Sequence, residues 1–267
     1  MSHDSPTQPR SWDGLLALLA LATLVAILFA PPHNLLAKAD RAAFAVCHRI
    51  PERTFSLNGR PLPLCARCSG TYLGTVAGLA VLALRGHGRA SRLPDRRTVG
   101  IFALFILAWA LDGANSYLAL LGLPHLYEPS NLLRLVTGTL QGLAIASFLL
   151  PVANLVLWAA PAPVRSVDSW AGLLWLLASG AVVVALVSSE QTWLLYPLAL
   201  LSGLTIVGLF GLLNAMLVLM LLRREARARR WAALAAPLLV GGALALAELA
   251  TIGLARDWLT ARFGLPF

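Results

Sequence analysis

Charge is the scarcest resource of this chain: Asp, Glu, Lys and Arg together make up 12% of its 267 residues, with 12 acidic side chains against 21 basic ones. A water-dissolved fold needs a far more polar surface, so that class is excluded. The apolar–polar alternation of a membrane barrel is missing too, which leaves helices as the spanning element. There is no nucleotide-binding glycine loop, no Gly-x-Ser-x-Gly elbow and no His-Glu-x-x-His pair, and their usual chemistries lose support. No pair of broken helices or inverted repeat argues for a transporter. Cysteine occurs only three times, and all three fall between Cys47 and Cys68.

What the chain has in abundance is apolar surface. Hydrophobic residues reach 58% and the mean hydropathy is +0.76. Crossing a hydrocarbon core of roughly 30 Å takes about 20 apolar residues. The runs predict an all-α, polytopic membrane protein with about seven spans: Gly14–Ala30, Ser69–Leu84, Thr98–Gly122, Asn131–Leu157, Trp170–Ser188, Trp193–Leu222 and Trp231–Ala255. The first resembles a signal peptide, but Pro31 and Pro32 stand where a cleavage site would want small residues, so an uncleaved anchor is expected. After it, Asn34 precedes a stretch with Leu35, Leu36, Ala39, Ala43 and Phe44 set against Lys38, Asp40 and Arg41. That pattern predicts a short capped helix along the interface.

Basic residues set the orientation. Arg85, Arg89, Arg92, Arg96 and Arg97 follow the second span, and Arg223, Arg224, Arg227, Arg229 and Arg230 follow the sixth. Both loops are expected on the cytoplasmic side of the inner membrane, with a cytoplasmic N-terminus and an exoplasmic cysteine segment. The formal charge of +9 thus reads as a topology signal and not as nucleic-acid binding. Lys38, Arg41, Arg49, Arg53, Arg60 and Arg67 run against the rule, and such a load on a translocated segment suggests a site.

Thiolates are soft metal ligands and redox nucleophiles, and both uses need several sulfurs brought together. Cys65 and Cys68 have the spacing to share one ion, Cys47 supplies a third sulfur from 18 positions upstream, and His48 is a weaker fourth candidate beside it. Three protein ligands with an exchangeable fourth is the arrangement of catalytic zinc or iron. His125 and Glu128 are remote alternatives for the fourth place. Deeper in the spans, Asp112 lies about 21 Å along the third helix from Thr98, near the exoplasmic surface. Arg134, in the run Arg134, Thr137, Gly138, Gln141 that shares one helix face, is the expected partner of that carboxylate. Asp112 and Arg134 are the candidate catalytic pair, and Arg49, Arg53, Arg67 and Asn131 the candidate ligands for an anionic substrate. Gly70, Gly74 and Gly78 recur every four residues and predict close helix packing.

These elements, namely CHRIPERTF, Gly59, PLCARCSGTYLG, the Asp112–Gly113 pair and SNLLRLVTG, resemble the predicted bacterial membrane proteins grouped as domain of unknown function 2085. The resemblance runs from about Cys47 to Gly142 and implies one functional unit, without supplying an activity. The chain is accordingly divided into a four-span part, residues 1–160, and a three-span extension, residues 161–267. The expected function is that of a membrane protein with a metal-thiolate site for zinc or iron, a metal-dependent enzyme or a metal-binding protein acting on an anionic or lipid-linked ligand. Two alternatives stay open at this point: a thiol-disulfide oxidoreductase using the Cys65/Cys68 pair, and a structural zinc in a partner-docking protein.

Overall fold

The structure, a computed structural model, describes residues 11–264, and it is a helical bundle. Helix α1 is Ser11–Phe29, over the expected first span. Helix α2, Leu35–Val46, is capped as expected by the Asn34 side chain, which accepts from the Leu36 N–H at 2.8 Å. Its apolar face, Leu36, Ala39 and Ala43, is buried against two long helices, α7 (Leu195–Leu221) and α8 (Ala235–Phe263). The others are α3 (Ala66–Leu82), α4 (Arg96–Leu120), α5 (Asn131–Leu157) and α6 (Trp170–Ser188).

Six helices among the described residues, α3 to α8 with their terminal turns, are long and apolar enough to cross a membrane. Counted with those turns, the shortest is α6, at 19 residues, which at about 1.5 Å each just spans the hydrocarbon. The expected boundaries hold within a few residues except at α8, which continues two turns beyond Ala255 to Phe263. Arg256 and Asp257 explain the extension, because both find partners on or beside α2: Asp257 accepts from Arg41 at 2.7 Å, and Arg256 donates to the Cys47 carbonyl at 2.9 Å.

The closest packing is between α3 and α5, which lie backbone against backbone. A Cβ added at Gly70 would stand 2.4 Å from the Leu135 carbonyl oxygen, at Gly138 2.1 Å from that of Arg67, and at Gly142 2.3 Å from that of Thr71. The glycine repeat of α3 is therefore one half of an interlock whose other half is Gly138 and Gly142 on α5, the small-residue contact that lets membrane helices approach. Helix α6 packs on both, and α7 closes on α2 and α3.

The two arginine-rich loops meet at the end of the bundle opposite the cysteines. The strand Ala90–Arg92 pairs in parallel with a strand after α5, Ala162–Arg165, and the Ala159 N–H donates to the Ala228 carbonyl at 3.0 Å. Arg89 lies 3.8 Å over the Trp158 ring, which stands edge-on to Trp231. The grouping of both basic loops at one end agrees with an even number of crossings between them.

Candidate functional site

The end of α2 and the start of α3 bring the cysteines together. Cys47 is the last residue of α2's final hydrogen-bonded turn, its N–H donating to the Ala43 carbonyl at 2.9 Å. Cys65 is the extended residue from which α3 starts, and Cys68 lies on the first turn of that helix. The intervening chain folds back as a hairpin, Ser56–Leu57 against Arg60–Pro61. Its two-residue turn, Asn58 and Gly59, has both φ angles positive at 53° and 73°, the conformation for which Asn-Gly is preferred. Phe55, Leu57 and Leu62 anchor the hairpin in the core with Leu73, Leu135 and Val187.

The three sulfurs all lie within 4.8 Å of one another, and none is in a disulfide. Cys47 is 3% exposed, whereas Cys65 and Cys68 are half-buried. Around them Ala43, Leu64 and, from the last two spans, Ile206 and Leu249 form an apolar jacket. The Cys65 N–H also donates to the Cys47 sulfur at 3.4 Å. Hydrogen bonds from the thiols of Cys65 and Cys68 hold the Cys47 thiol far below its ordinary range. The same bond pushes the Cys65 thiol up. One thiolate is thus favoured within the cluster, at Cys47.

Arg67, between the two helix cysteines, projects toward α4. Its Nη2 pairs with the Asp112 carboxylate in a short ion pair, and donates to the Asp112 carbonyl at 3.0 Å and the Ser116 hydroxyl at 3.1 Å. Asp112 is 1% exposed and also accepts from the Tyr127 hydroxyl at 2.9 Å. This corrects the expected Asp112–Arg134 pair. Arg134 instead donates from Nε to the Ser116 hydroxyl at 3.3 Å and from Nη1 to Asn131 at 2.9 Å. The Arg67 guanidinium reaches the carboxylate by passing alongside Gly113 of α4, its Nη1 3.7 Å from where a Cβ on that glycine would stand.

The other candidates divide. Arg53 joins this network, donating to the Ser116 carbonyl at 3.1 Å, and Asn131 donates to the Glu52 carbonyl at 3.1 Å. Arg49 does not join it: with Arg60 it holds Asp40 of α2, at 2.9 and 3.0 Å. His48 is exposed, lines a hollow of about 240 Å³ with Pro51 and Pro61, and is not in the sulfur group. His125 and Glu128 contact each other at 3.1 Å in the exposed turn after α4, also outside that group.

Sequence reasoning missed Ser116, Tyr127 and Arg256. Ser116 could have been found four residues beyond Asp112, on the same helix face. Arg256 carried no signal, since its place against Cys47 depends on how α8 packs. Its guanidinium lies 4.2 Å over the Phe44 ring and donates to the carbonyls of Phe44 and Cys47.

The fold and its sulfur cluster define a helical membrane protein with a thiol site at one end of the bundle. Comparison with known proteins then places it. The model of the family described as "Predicted membrane protein (DUF2085)" matches residues 47–148. An uncharacterized protein of Methanothermobacter thermautotrophicus is 31% identical over 112 residues, 42% of this chain and 91% of its own length. An uncharacterized protein of Methanocaldococcus jannaschii is 28% identical over 107 residues, 40% of this chain, and the match spans 63% of that protein, less than two thirds of its length. The chain belongs to this family. Both of these relatives are archaeal, and the matched segment ends within α5, before the last three spans. No solved structure matches.

Proposed function

We infer that Cys47, Cys65 and Cys68 hold a zinc or iron ion at the exoplasmic end of the bundle. In this reading the protein is a metal-dependent enzyme of the cytoplasmic membrane acting on an anionic or lipid-linked substrate. The observation that carries the reading is the convergence of three sulfurs within 4.8 Å. Tetrahedral zinc with Zn–S bonds of about 2.3 Å places its sulfurs roughly 3.8 Å apart, so the cluster closes on an ion by small side-chain shifts. The donor set fits: all sulfur, one already favoured as thiolate, inside an apolar jacket that strengthens charge interactions. Three sulfurs leave a fourth position for water or substrate, where the ion supplies a polarising positive charge.

Thiol-disulfide exchange fits less well. An exchanger presents an accessible attacking thiol and works with its sulfurs in pairs, but here Cys47 is enclosed and the converging sulfurs number three.

The test is elemental analysis of the purified full chain. One zinc or iron per chain, lost in Cys65→Ser, is expected; a metal-free protein with a reducible Cys65–Cys68 bond would replace this reading with the exchanger. Metal retained, with unchanged function, in Asp112→Asn would instead mark the ion as structural.

A further inference from the structure

Ser116 receives hydrogen bonds from three guanidinium groups, those of Arg53, Arg67 and Arg134. Asp112 supplies a single negative charge to this group, through Arg67. Among the described residues neither Arg53 nor Arg134 has a carboxylate within 4.0 Å, as the ion pairs present all involve other cations. The cluster therefore carries an excess of two positive charges. Arg134 is 7% exposed, and in so enclosed a place unbalanced cations are costly unless an anion joins them. Donors are also left over: the Arg67 Nε is enclosed without a hydrogen-bond partner, and the Arg134 Nη2 makes no bond to any described residue. The N-terminus of the 27-residue helix α5 ends here, adding the positive end of its dipole.

We propose that Arg53, Arg67 and Arg134 form a binding site for a phosphoryl group. A phosphate monoester carries about two negative charges at neutral pH, which balances the excess, and its three oxygens accept from several guanidinium edges at once. Arginine, not lysine, supplies all three cations, as planar two-pronged recognition of phosphate requires. Arg67 lies between Cys65 and Cys68 at the start of α3, so a group bound to it lies beside the sulfur cluster. The inference deepens the reading above by naming the substrate's chemistry; it rests on that reading for the reaction but not for the binding. The phosphoryl group has two possible sources, a soluble phosphate ester or the headgroup of a lipid, which the experiment separates.

The full chain in phosphate-free maltoside micelles is titrated with inorganic phosphate, and separately with phosphatidic acid, while thermal unfolding is followed. A saturable rise in Tm that is at least halved in Arg53→Gln, and absent with chloride at matched ionic strength, is expected. Arg53 suits the test because it is half-buried and bonded only to a carbonyl, so its removal strands no charge. A response to inorganic phosphate assigns a soluble ligand, and a response to phosphatidic acid alone assigns a lipid headgroup. No response to either, or equal shifts in wild type and Arg53→Gln, overturns the proposal. Metal content is measured on the same samples. Metal-free protein that still responds would remove the ion but keep the anion site, and metal-loaded protein that ignores both ligands would do the reverse.

Discussion

Replacing Gly138 by alanine should be among the costliest single methyl additions on α5. The new Cβ would stand 2.1 Å from the Arg67 carbonyl oxygen and 3.0 Å from its carbonyl carbon, where unstrained carbon contacts lie near ~3.5 Å. The atom it meets is backbone in the first turn of α3, so no rotamer change relieves the overlap. The helices must part by about 1 Å, and a gap of that size forfeits a quarter to a half of each dispersion contact along the seam. Overpacking of this kind costs about 1–3 kcal/mol, and a rigid backbone neighbour puts Gly138→Ala at the upper end. The same displacement moves Arg67 away from Asp112 and, one residue on, moves Cys68. Gly142→Ala, 2.3 Å from the Thr71 carbonyl one turn further from the site, should destabilise comparably while disturbing the cysteines less. Gly100→Ala, with nothing within 4 Å, should be neutral or stabilising by up to ~1 kcal/mol through helix propensity. Thermal unfolding of the three variants in micelles, with metal content measured alongside, is the assay. A Gly138→Ala protein as stable as Gly100→Ala would refute the interlock.

Asp112→Asn should destabilise the fold by about 3–5 kcal/mol, because it removes the carboxylate from a buried pair and leaves three guanidiniums without an anion; chemical denaturation in micelles measures it. Arg256→Gln should leave the helices intact yet loosen the sulfur site from outside, releasing a bound metal to a chelator about 10–100-fold more readily, as loss of an outer-shell contact does. Metal loading should also liberate protons. The Cys65 thiol is held up by its bond with Cys47 and must shed its proton to become a ligand, so affinity falls by about tenfold per pH unit for each proton released as the medium is acidified. Calorimetry in buffers of different ionisation enthalpy counts those protons, and affinity independent of pH would contradict the thiolate assignment.

The spans and the sulfur cluster were legible in the sequence because each depends on short-range information. Apolar runs of fixed length mark helices, and three cysteines in one polar segment mark a meeting point. The glycine repeat of α3 could be read as a packing face, although its partners on α5 could not. What escaped was azimuth. Depth along a helix put Arg134 near Asp112, and only the fold shows that α3 turns Arg67 toward α4 and onto that carboxylate. The ion pair of Arg49 was hidden for a related reason: its partner Asp40 sits on α2, a helix whose apolar face suggested lipid but rests on α7 and α8.

The placement of the sulfurs also bears on how the molecule moves. Two belong to α3, which is locked to α5 by its glycines; the third ends α2, which leans on the last two spans. An ion gripped by all three would act as a rivet between two bodies otherwise joined by softer contacts. Loading it should therefore register as stiffness far from the sulfurs, in slower amide exchange where α2 meets α7.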